Sequence, residues 1–360
     1  MLEFIHFDIA DKRKLSIYFG ILIGVCFGIL AQRTKFCFRS AFIVGRPSQH
    51  TALWMSALIM ALAGTKIMTF YGFVSLNEHR FLQNELPWLS IITGGLLFGA
   101  GMVLTRGCVS RLTVLAGTGN LRAAMVLLIF GIVAHSSLKG VLSRPLSLIK
   151  EITVNTEKFL NAEGILIIKV AFSVMLFFWF IFIIHQTKPK LIKLLLACMT
   201  GLLVPISWVG TGYILLDEFH PIAFESISYT KPYADTLFWI IASSAIPPNF
   251  GVGLVCGTVC GSLLASRLAK EFRVLTFETK TQTIRYFVGA SMMGTGGVLA
   301  GGCSLGAGLA GLPTIALATI LASFSFILGG FLCNSFLRSK AFLSVYAGLL
   351  DKQTLLQAKL

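Results

Sequence analysis

Nine apolar stretches dominate the chain, each close to or beyond the length of about 20 residues that crosses a bilayer as a helix: Leu15 to Ala31, Thr51 to Phe73, Trp88 to Leu104, Leu121 to Leu138, Gly164 to Ile184, Leu191 to Val209, Thr236 to Ala265, Ile284 to Ala300 and Pro313 to Phe336. The seventh is too long for one crossing and is interrupted at Pro247 and Pro248, which predicts a short dipping segment followed by a full helix. Such a chain has too few charges to clothe a water-facing surface. Of its 360 residues 56% are hydrophobic and 12% charged, against about 25% charged in soluble domains. The expected fold is therefore an all-α polytopic membrane protein, with residues 1–340 as one integral membrane domain and 341–360 as a C-terminal cytoplasmic tail. A formal net charge of +15 would suggest nucleic acid in a soluble protein, but here it is accounted for by basic residues gathering in cytoplasmic loops.

Sidedness follows from the same residues. With the N-terminus outside, the inner loops collect roughly twice as many lysines and arginines as the outer segments, so the positive-inside rule favours N-out and C-in. The basic cluster Lys12 to Lys14 precedes the first run without a recognisable small-residue cleavage site, which reads as a retained helix. Eight cysteines sit in or beside apolar runs, with no CxxC pair and no histidine at zinc spacing, so they are expected to be free thiols holding neither metal nor disulfide framework. No cofactor is expected.

An internal repeat singles out two of these thiols. A shift of 195 residues lays Gly94, Gly99, Gly101, Val103, Leu104, Gly107 and Cys108 on Gly289, Gly294, Gly296, Val298, Leu299, Gly302 and Cys303. In each copy a glycine-rich span ends at Gly-Cys and is followed by a stretch too brief to cross, read as a re-entrant half-helix. By the crossing count the copies enter from opposite faces, giving inverted repeats of roughly 15–138 and 236–336, a common build of secondary transporters. Close helix packing explains the glycines; it does not explain a cysteine at the same place twice. Cys37, between the first span and another short stretch, is a third candidate. Cys26, Cys198, Cys256, Cys260 and Cys333 read as packing residues, and His135 as a packing histidine.

The segments Gln32-Arg33-x-x-Phe36-Cys37, Gly99-x-Gly-Met-Val-Leu-x-x-Gly107-Cys108, Pro248-Asn-Phe-Gly-Val-Gly253 and Gly294 through Gly302-Cys303 to Gly311 together resemble the YeeE/YedE sulfur-transport family. The resemblance covers nearly the whole span region. It implies an hourglass membrane fold in a bacterial inner membrane, with short helices entering from both sides and three cysteines, here Cys37, Cys108 and Cys303, along a narrow path for thiosulfate. It also implies a small cytoplasmic sulfur-carrier protein as partner. Arg111 and Leu112 depart from the pattern, standing where a small, glycine-containing turn is expected after the second cysteine.

The chemistry suits such a path. Thiosulfate is strongly hydrated, and a neutral thiol donates a weak hydrogen bond that holds an anion without trapping it. Half-helix N-termini at Gly107-Cys108 and Gly302-Cys303 add partial positive charge. Lys66, deep in the second run, is expected to face a cavity or to snorkel, and Arg106 to gather anions at the inner mouth or anchor the loop. The alternatives are a transporter for another sulfur or selenium compound, or a membrane thiol-disulfide oxidoreductase, which the wide dispersal of the cysteines disfavours. An enzyme is not expected.

Overall fold

The computed structural model describes residues 9–43, 45, 47–74, 85–155, 162–215, 223–244 and 247–357, the side chains of 9–11, 162–163, 165–166, 168–169 and 340–357 excepted. Lys169 falls among those exceptions, and Lys359 lies outside the described residues. Among the described residues the fold is all-α apart from a two-residue antiparallel pair, β1 (Glu85–Leu86) with β2 (Val154–Asn155).

In chain order the helices are α1 (Ile9–Thr34), α2 (Phe38–Phe42), α3 (Gln49–Phe70), α4 (Trp88–Leu104), α5 (Val109–Gly117), α6 (Leu121–Lys139), α7 (Ser143–Lys150), α8 (Ala162–Thr187), α9 (Leu191–Val209), α10 (Thr230–Ile241), α11 (Phe250–Leu268), α12 (Lys280–Leu299) and α13 (Leu317–Gln357). Among the described residues eight segments are long and apolar enough to cross a membrane, and a ninth is formed by Lys280–Leu299 with Ser304–Thr314, bent by 40° between them. The protein is an all-α polytopic membrane protein. Its expected seventh stretch divides at the prolines: α10 has 12 residues, about 18 Å of helix against about 30 Å of hydrocarbon. The Asn249 side chain then accepts the Val252 N–H at 3.0 Å and starts α11. At the other end the backbone stays helical to Gln357, so 341–357 continue α13.

Backbone-to-backbone packing decides which helices meet. Gly20, Gly24 and Gly28 of α1 face α11, where a Cβ on Gly24 would lie 2.4 Å from the Leu254 carbonyl oxygen. Gly253, Gly257 and Gly261 return the contact onto Ile17, Ile21 and Val25. This is small-xxx-small packing on both helices, and because the numbering rises together the two run parallel. Gly94 of α4 meets Gly296 of α12 and Ala300 just beyond its end, while Gly101 meets Gly289 and Met293, so these two repeat copies run antiparallel. The pairs α3 with α9 (Ala57 and Gly64 on Gly201 and Pro205), α4 with α13 (Gly95 on Ser325, Gly99 on Gly330) and α6 with α12 (Arg122 on Glu278, Val133 on Gly294) are parallel. Each relative sense is the one that nine alternating crossings require.

Candidate functional site: three thiols at broken helices

Each of the three singled-out cysteines stands at the same kind of break. The residue two positions before it is left-handed, with φ of 53° at Lys35, 60° at Arg106 and 76° at Gly301. A residue there turns the chain out of the preceding helix. The cysteine itself is extended and opens the next short element: α2 after Cys37, α5 after Cys108, and a π-helical turn, Ser304–Gly311, after Cys303. All three are buried, at 6%, 1% and 0% exposure.

The thiols of Cys37 and Cys108 stand within interaction range of each other, and the Cys108 Sγ lies 3.3 Å from the Ser110 Oγ. The sequence repeat leads one to expect Cys108 beside Cys303, with Cys37 further along the same path; it is Cys37 that stands in range of Cys108. That contact depends on where α2 and α5 dock, which the sequence repeat does not encode. Cys303 Sγ instead accepts the Gly306 N–H at 3.4 Å. Its π-turn abuts Ser228 at Gly306 and Trp54 and Phe38 at Gly308. Tyr229 is fully buried, lies within electrostatic range of both Cys108 and Cys303, and shares a hydrogen bond of 2.7 Å with Thr258.

Arg111 is the charged member of this site. Half-buried, it stands within electrostatic range of Cys37, Cys108 and Glu271. Its Nη1 donates to the Gln32 Oε1 at 3.3 Å, and the Gln32 Nε2 donates to the Glu271 Oε2 at 2.9 Å. An arginine at the centre of a spanning helix costs about 2.5–3.5 kcal/mol, and this relay offsets the cost by tying the guanidinium to a carboxylate through an amide. The loop carrying Glu271 is itself fixed to the end of α5, where Arg273 N–H donates to the Thr118 carbonyl at 3.1 Å. Arg111 and Gln32 are what sequence reasoning underrated. The signals were present, Gln32 inside the Gln-Arg-x-x-Phe-Cys segment and Arg111 as the departure after the second cysteine.

The other candidates are more dispersed. Arg106 is exposed at its turn, and Lys66 is exposed four residues before the end of α3. A Cβ at Gly107 would meet Leu112 at 3.4 Å, ordinary contact, whereas at Gly302 it would crowd the Ala307 nitrogen at 3.3 Å. Cys256 and Cys260 are exposed on α11, and Cys26, Cys198 and Cys333 are half-buried. His135 stacks on Phe238 with ring centroids 4.7 Å apart. Among the described residues no three His, Cys, Asp or Glu side chains are grouped to hold a metal ion.

Residues 33–332 match the family described as Sulphur transport. The chain is 27% identical to the thiosulfate transporter TsuA of Spirochaeta thermophila over 338 residues, 87% of this chain and 96% of that protein. It is 25% identical to the TsuA of Escherichia coli over 318 residues, 81% and 86% of the two chains. A shorter match of 114 residues, 38% identical, links 30% of it to 25% of the probable transporter YedE of Escherichia coli. With three hundred residues inside the family's span, the breaks at Cys37, Cys108 and Cys303 all fall within it, and the chain belongs to the sulphur transport family.

Proposed function

We propose that the protein takes up thiosulfate or a closely related sulfur anion across a bacterial inner membrane, with its N-terminus outside and its C-terminus in the cytoplasm, and without a covalent step. The observation that carries the reading is the Cys37–Cys108 thiol pair with Arg111 beside it. An anion there meets S–H donors and one fixed cation in buried surroundings. The donors are weak enough to release it. Cys303, across Tyr229, extends the same path, and Gly107 and Gly302 keep the two entry turns narrow and free of side chains. Arg106 and Lys66 act further out, gathering anions toward the mouths. The antiparallel packing of α4 against α12 supports inverted repeats meeting at the path. Inside the cell a small sulfur-carrier protein receives the sulfur, docking an acidic face on the basic inner loops.

The thiol contact also favours one other reading, a buried dithiol that cycles to a disulfide with an electron-accepting partner. Serine at Cys108 separates the two. A redox pair loses all function, while a hydrogen-bonding path keeps measurable flux. The test is growth and labelled-thiosulfate uptake in a host lacking its own sulfate and thiosulfate importers, one sulfur source supplied at a time. Uptake of none of them by the parent chain overturns the proposal.

A further inference from the structure

Beside Cys37, and outside the thiol pair, three arginines converge from different helices. Arg39 lies in α2, Arg106 follows α4 and Arg285 lies in α12; both Arg106 and Arg285 stand within electrostatic range of Arg39. Arg285 is hooked in place by its Nη2, which donates to the Val103 carbonyl at 3.3 Å, three residues before Arg106. Among the described residues, ion pairs join Arg122 to Glu278 and Lys231 to Glu225, and neither neutralises this trio. The Nε atoms of Arg39 and Arg285 are moreover buried with no acceptor. A buried guanidinium N–H without a partner is costly, and like charges brought together add repulsion. Both costs vanish if an anion with several acceptor oxygens sits between them.

We propose that Arg39, Arg285 and Arg106 form a binding site for a tetrahedral divalent oxyanion of the sulfate, thiosulfate or phosphate-ester type. Arginine suits this occupant because its planar fork presents paired donors to tetrahedral oxygens. The position next to Cys37 makes the site a holding station at one end of the thiol path. As a station for cargo it rests on the transport reading, and as an oxyanion site it stands without it.

Full-length protein in detergent, titrated with sodium sulfate while sodium chloride keeps ionic strength constant, is expected to show a saturable rise in its thermal unfolding midpoint. Arg39→Gln and Arg285→Gln each weaken that affinity by about ten-fold or more, because a charged fork is lost from the anion. Arg39→Lys and Arg285→Lys fall between, keeping charge without the fork, and they carry the test if a glutamine variant does not fold. Cys198→Ala, at a half-buried packing position of α9, changes sulfate affinity by less than about two-fold and is the control; because binding is read without uptake, the site and the thiol path are judged separately. Phosphorus retained on purified protein identifies the source: one phosphate per chain in the parent, lost in Arg285→Gln, marks a phospholipid headgroup, and its absence beside saturable sulfate binding marks a free anion. Sulfate affinity unchanged in both glutamine variants, or no effect of sulfate beyond that of chloride with no phosphate retained, overturns the inference.

Discussion

The two copies of the glycine-cysteine repeat enter by the same turn and then diverge. After Cys108 comes a nine-residue α-helix carrying Ser110, Arg111 and Thr113, which reach Cys108, Gln32 and Tyr233 respectively. After Cys303 come eight residues of serine, glycine, alanine and leucine wound as a π-helix, fully buried. The repeat thus specifies a backbone event, a left-handed exit from a glycine-rich helix onto an extended cysteine. The residues C-terminal to that cysteine decide whether the element brings charge to the site or only backbone and shape. In the first copy the cation is tolerated because Gln32 and Glu271 answer it. Among the described residues no such relay reaches the second, and small residues there let the turn pack on Ser228, Trp54 and Phe38.

The largest effect should come from the shared seam. A Cβ at Gly296 would lie 2.6 Å from the Gly94 carbonyl oxygen, so Gly296→Leu forces the two copies apart. It should deplete folded protein from the membrane, as measured by quantitative blotting after detergent extraction, since overpacking by this much costs about 1–3 kcal/mol or more. Gly302→Leu crowds one turn only and should insert at normal abundance yet abolish uptake. Equal abundance and equal uptake for both variants would mean that the copies do not need their close approach.

Next in size is the asymmetry of charge. Arg111→Gln should lower uptake about ten-fold, with Arg111→Lys partly restoring it, because the fixed cation is lost beside two thiols. Leu305→Arg, which places a cation in the π-turn with no relay to answer it, should not compensate in the double variant. Compensation would show that the position of the charge is immaterial. Smaller still is Ser110→Ala, which removes one neutral hydrogen bond to Cys108. That bond contributes about 0.5–1.5 kcal/mol, a few-fold change in uptake.

Much of this was legible in the sequence because membrane helices announce themselves by length and apolarity. The break at Pro247 and Pro248, the Gly-Cys repeat and the inverted sense of its copies all follow from counting. The helix partnerships were only half visible: Gly20, Gly24 and Gly28 are spaced for a seam, but nothing local says that the partner is Gly253, Gly257 and Gly261. The Cys37–Cys108 contact and the meeting of Arg39 with Arg285 join residues far apart in the chain, and tertiary docking alone brings them together. The π winding after Cys303 is equally hidden, since Gly and Ala tolerate several helical forms.

The central claim is that buried thiols at these breaks carry the anion. Labelled-thiosulfate uptake at equal membrane abundance tests it in Cys37→Ala, Cys108→Ala, Cys303→Ala and the Cys37/Cys108 double variant, with Cys198→Ala and Cys333→Ala as controls. The account predicts a large loss in each of the first three, parent-like controls, and a double variant scarcely worse than either single because the pair acts as a unit. Parent-like uptake in all three single variants would contradict it.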